Sequence, residues 1–134
     1  MKRLRLMLAL LLAAICSHAM ADWTLYGTGD EGNNSYLNIS TIKKAGNKIK
    51  IWGLTDYKNL QVVKSSQFFS EVSLREYDCK AETIKFLAVT TYLEHMAVGK
   101  VIYTFNMPDS EEMPIAPDTL SADGMKLACS KKYK

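Results

Sequence analysis

The sequence predicts an α+β domain, an antiparallel β-sheet of five or six strands with a C-terminal α-helix packed on it and one disulfide. Three observations carry this. Apolar and polar residues alternate along residues 48–56 and 68–77, the period of a half-buried strand. After Pro117 the spacing lengthens to that of a helix. Two cysteines, Cys79 and Cys129, then stand where a bridge would tie the far end of that helix to the sheet.

The first 21 residues read as an export signal, removed before the domain does its work. Lys2, Arg3 and Arg5 make a positive start, residues 6–15 are unbroken apolar, and Ala19-Met20-Ala21 is a small-x-small cleavage signature before Asp22. The apolar run is too short to cross a bilayer as a helix, so cleavage between Ala21 and Asp22 is expected rather than anchoring. Of 134 residues, 113 then remain, enough for one domain (residues 22–134) and too few for two. Three of the 17 basic residues leave with the signal, so 14 face 14 acids. The formal charge of +3 thus belongs to the discarded segment and gives no argument for a nucleic-acid partner. Cys16 leaves too. It follows the bulky Ile15, where a lipid-attachment site calls for a small residue. Cys79 and Cys129 remain as an even pair in an oxidising compartment, where one disulfide is expected and two separate buried thiols are the alternative.

Residues 23–26 and 36–39 are short apolar and aromatic stretches around a loop rich in Gly and Asn, an opening hairpin. Residues 40–44 read as a turn or a short helical turn, and Ala45-Gly46-Asn47 as a tight turn. Residues 48–56 form the next strand. In residues 68–77, Phe68, Val72 and Leu74 share one face, and Glu71, Ser73 and Arg75 the other. Residues 83–93 are apolar on both faces, as a covered central strand is, and residues 100–105 supply the last strand. Pro108, Pro114 and Pro117 interrupt an acidic loop in which no strand is expected. Asp118 or Thr119 caps a helix that carries Leu120, Gly124, Leu127 and Ala128 on one face. Gly124 weakens it, so docking through Cys129 must supply what propensity lacks.

Several chemical motifs are present in letters only. Gly27-Thr28-Gly29-Asp30-Glu31-Gly32 matches the dinucleotide pattern, but Asp30 and Glu31 would face the phosphates and a strand follows instead of a helix. Ser40-Thr41-Ile42-Lys43 matches the serine acyl-enzyme pattern without its companion motifs. His95 is the one histidine after the signal, and two committed cysteines beside it make no zinc spacing. No catalytic residue, metal or cofactor is therefore expected. Lys43, Lys44, Lys48 and Lys50 cluster about one turn and form the densest candidate ligand patch; a solvated face is the plainer reading of the same residues.

Four segments also carry a likeness. Ile51-Trp52-Gly53-Leu54-Thr55-Asp56-Tyr57-Lys58 comes first, then Glu76-Tyr77-Asp78-Cys79-Lys80. Tyr92 with Met96-Ala97-Val98-Gly99-Lys100-Val101-Ile102 follows, and Pro117-Asp118-Thr119 precedes the helix. In order and spacing they resemble the bacterial surface-adhesin protein E family of small exported domains. The resemblance implies an antiparallel sheet with a C-terminal helix and a bridge from the middle cysteine to the last. Lys85 and Met113 depart from the family's pattern, which has Arg and an aromatic there. It further implies a non-enzymatic binding module of a Gram-negative bacterium, in the periplasm or at the outer surface, adhering to host matrix or serum glycoproteins. A periplasmic structural or stress protein with no host ligand, or an inhibitor of a periplasmic hydrolase, is the alternative expectation.

Overall fold

The computed structural model describes residues 22–130. Cys16, Ala21 and the rest of the expected signal lie outside the described residues, and Asp22 is the first of them. Six strands follow one another as a meander: β1 (Trp23–Thr28), β2 (Asn34–Ala45), β3 (Lys48–Val63), β4 (Ser66–Asp78), β5 (Thr83–Tyr92) and β6 (Val101–Asn106). Each pairs antiparallel with its neighbour in sequence. Among the described residues one α-helix, α1 (Leu120–Ala128), follows the strands.

The strands expected from alternation are present, and two segments differ from expectation. Residues 40–44 are part of β2 rather than a separate turn. The turn character survives as a bulge, because pairing with β3 shifts between Asn38 and Lys43. There Ser40 bonds back to the Asn38 side chain, and Thr41 Oγ1 accepts from Trp52 N at 3.1 Å, a side chain standing in for a backbone carbonyl. The proline-rich segment does hold a strand, the two-residue β7 (Met113–Pro114), which pairs with the start of β5. Proline is tolerated there because the strand is short and at an edge. The loop after β5 contains a single 3-10 turn, His95–Ala97. Asp56 Oδ1 holds it, accepting from Met96 N at 2.8 Å and lying 3.1 Å from His95 Nδ1.

The core lies between α1 and one face of the sheet, where Leu37, Ile49, Ile51, Tyr77, Ile84 and Ala128 are buried together. In β4 the face that looks toward the helix is the one carrying Ser73, Arg75 and Tyr77, while Val72 and Leu74 are only half-buried on the other. Helix α1 docks closely because Gly124 has no side chain: a Cβ there would lie 3.0 Å from the Tyr77 hydroxyl and 3.1 Å from the Tyr26 ring. Its far end is pinned by the Cys79–Cys129 disulfide. Thr119 is its N-cap, accepting from Ala122 N at 3.2 Å, so of the two capping residues expected the structure selects the threonine. Thr119→Ala should lower stability by about 1 kcal/mol and Thr119→Ser by much less, readable as midpoints in urea.

Candidate functional site

Residues opposite one another in the sheet share a face, so the helix-bearing face can be read as successive rows. Ile49, Tyr77 and Ile84 form one row, and Ile51, Arg75 and Phe86 the next. Leu37, Gly53, Ser73 and Val89 follow, then Ser35, Thr55, Glu71 and Thr91. The rows therefore run from apolar beside the disulfide to polar at the far end, with Arg75 between. Helix α1 covers the apolar end, and its first residues, Leu120 and Ser121, reach only the edge of the polar end. A cleft of about 300 Å³ opens there, walled on one side by the loop between β1 and β2 and lined by Tyr26, Ser35, Thr55, Glu71, Arg75 and Phe86.

Arg75 dominates this cleft. Its side chain runs along the sheet with only 6% of the residue exposed. Nε donates to Ser73 Oγ and Nη1 donates to the Tyr26 hydroxyl, each at 2.8 Å, and the Phe86 ring centroid lies 5.8 Å from Cζ. The guanidinium rests directly on Gly53, where an added Cβ would come within 2.5 Å of Cζ and Nε. A glycine inside a strand thus marks a close approach, here of a cation to the sheet floor. Among the described residues no carboxylate lies within ion-pair distance of Arg75. Burial works against its charge, the Tyr26 and Tyr77 hydroxyls work for it, and the net direction is upward. Burial also holds the Glu71 carboxyl above its usual value, with Arg75 pulling the other way. Tyr57, farther along, is pushed up to about 12 by burial and then by Glu71.

One other surface frames the cleft. Beyond its polar end Tyr57, Phe68, Tyr103 and Phe105 make a chain of ring contacts, with centroids 5.8, 5.9 and 5.1 Å apart in turn. Phe105 closes the chain in the open, 59% exposed on the edge strand β6. Among the described residues no three His, Cys, Asp or Glu side chains converge as a metal site would. No helix among them is long and apolar enough to cross a membrane.

This architecture has known counterparts. The sequence profile of the surface-adhesin protein E family matches residues 23–130. The chain belongs to that family. The selenomethionine form of Haemophilus influenzae protein E superposes with a TM-score of 0.66 at 12% identity, over 85% of this chain and 90% of that one. Protein E from non-typeable Haemophilus influenzae gives 0.61 at 10% identity, over 84% and 78%. At such identities the likeness speaks for the fold. No curated protein matches the sequence.

In this protein E-family chain the four lysines singled out from sequence do meet at one hairpin, but not as equals. Lys43 pairs across the sheet with Lys50, and Lys48 lies opposite Ala45 at the turn. Lys48 Nζ bonds Glu112 at 2.8 Å and lies 3.7 Å from Glu76, and Lys50 lies 3.9 Å from Glu76. The hydrogen bond and charge of Glu112 hold Lys48 above its usual value, and Lys48 holds Glu112 below its own. Lys43 and Lys44 are exposed and make no such ion pair. The cleft, by contrast, was not singled out by sequence. Its signals were an arginine on the inward face of an alternating strand and a glycine in the neighbouring one.

The dinucleotide-like glycines have a packing role instead. A Cβ on Gly27 would lie 2.4 Å from Leu120 Cδ1, so this glycine makes room for the first helical residue. The loop is pinned as well, since Lys58 N donates to Asn33 Oδ1 at 3.0 Å.

Proposed function

We propose that the chain is an exported, non-enzymatic binding module of a Gram-negative envelope, cleaved between Ala21 and Asp22. In this reading it contacts an acidic extracellular or serum glycoprotein through the β2–β3 hairpin. Family membership over residues 23–130 supports the adhesive class. The observation that carries the hairpin is the placing of Lys43 directly opposite Lys50. Like charges opposed across a sheet are unfavourable, so an acidic partner accounts for the pair better than the fold does. Lys43 and Lys44 make the contact, while Lys48 and Lys50 are already engaged by Glu76 and Glu112.

Binding of this kind weakens steeply with salt, because exposed charges are screened over about 8 to 10 Å at physiological ionic strength. Reversing both Lys43 and Lys44 to Glu should lower retention on an immobilised serum glycoprotein several-fold and leave the melting temperature nearly unchanged. Equal retention by that variant would discard the hairpin. Protease shaving of intact cells tests the address: a hairpin cleaved from outside supports surface display, and protection places the domain in the periplasm.

A further inference from the structure

The buried guanidinium of Arg75 has no role in the hairpin reading, and the fold could do without it. An unneutralised cation removed from water is unfavourable, and a hydrophobic residue of similar size would pack the same row more simply. Two of the five N–H groups are taken by the neutral hydroxyls of Ser73 and Tyr26, and the Tyr77 hydroxyl also favours the charge, but none of the three is an anion. Donors not held by these hydroxyls and an unneutralised charge are left for an oxyanion, and the planar fork of an arginine suits a carboxylate.

We propose that the cleft binds an acidic sugar, with the sugar's carboxylate on Arg75 and its hydroxyls along the row Ser35, Thr55 and Glu71. Each part of the lining matches one part of such a molecule. The cation meets the carboxylate. The row beyond Gly53, over which the guanidinium lies, offers hydroxyls and a carboxyl that can donate to or accept from sugar hydroxyls. The Phe86 ring and the Leu120 side chain give the apolar C–H face something to pack on. A volume of about 300 Å³ is at the small end for ligand sites and fits one sugar unit, entering where the helix leaves the polar rows uncovered. Phosphate fits less well, since it would bring up to two negative charges to a cleft holding one cation and Glu71. The site lies on the opposite side of the core row from the lysine hairpin and is independent of it.

The test is a titration of the exported protein, followed by amide chemical shifts, with glucuronate, N-acetylneuraminate, glucose, acetate and inorganic phosphate. Glucuronate or N-acetylneuraminate should shift the amides of Ser35, Thr55, Glu71 and Arg75, glucose should not, and acetate and phosphate should bind at least about tenfold more weakly. Arg75→Met should abolish the shifts while keeping the dispersed spectrum of a folded sheet. Thr55→Val, which leaves the guanidinium and its partners in place, should weaken the acidic sugar several-fold and acetate not at all, and it decides the matter if Arg75→Met does not fold. Equal binding of phosphate, acetate and the sugar acids would overturn the proposal in favour of a general anion site. Unchanged sugar binding in Thr55→Val, or no shift at these amides with any sugar acid, would overturn it outright.

Discussion

Cys79→Ser is expected to lower the stability of the domain by about 4 kcal/mol, Cys129→Ser by about the same, and the double substitution by little more. The bridge closes a separation of 50 residues, and in the chain-entropy account a loop of that length restricts the unfolded ensemble by about this amount. It is a large fraction of what holds any small domain together. The structure adds a second reason. Helix α1 has nine residues with a glycine among them, too short and too poor in propensity to persist undocked. Losing the bridge should therefore release α1 from Tyr26 and Tyr77 before the sheet melts, and helical circular dichroism should fall at lower urea than sheet signal. Losses that add in the double variant would contradict a single shared bridge.

Gly53→Val should be nearly as damaging, at about 3 kcal/mol, although it changes a strand residue to a better strand former. The new Cβ would lie 2.5 Å from the guanidinium carbon of Arg75, and the two methyl groups would crowd it further. Arg75 can yield only by abandoning Ser73 and Tyr26, leaving a buried cation with fewer hydrogen bonds. The collision predicts its own relief. In an Arg75→Ala background the same substitution should cost at least about 1 kcal/mol less, a coupling that urea midpoints resolve. Equal costs in both backgrounds would mean that Gly53 serves the backbone and not the arginine.

The legible part of this fold was whatever alternation could encode. Residues 48–56 and 68–77 carry period-two patterns because one side of each strand is buried, and both are strands. The helix announced itself through Thr119 and the spacing of its apolar residues. Residues 40–43 were ambiguous for a physical reason. Asn38, Ser40 and Thr41 satisfy one another and the neighbouring strand through side chains, so a bulge within β2 has the composition of a turn. The strand Met113–Pro114 was hidden because two residues carry no period.

The cleft was the least legible feature. Alternation puts Phe68, Val72 and Leu74 on one face of β4; Phe68 is buried and the other two are half-buried, yet the side that meets the helix is the one with Ser73, Arg75 and Tyr77. An arginine faces inward only because Gly53, one strand away, leaves it space. Nothing in either strand alone reveals that pairing; it depends on register. Likewise, the lysine cluster was visible in the chain, but not that Glu76 and Glu112 come from 26 and 62 residues beyond Lys50 to engage half of it.

The unbroken meander has a consequence for how the molecule is made. Every long strand pairs with the one synthesised just before it, so each hairpin can zip as the chain emerges, without waiting for distant sequence. The short β7 and the closing helix are the exceptions, and the helix must find a surface laid down earlier by β1, β2 and β4. When it does, docking brings Cys129, near the C-terminus, within reach of Cys79, 50 residues earlier in the chain. Oxidation is thus the final step rather than a guide to the earlier ones, and pulse-labelled protein trapped with free thiols should already possess the sheet.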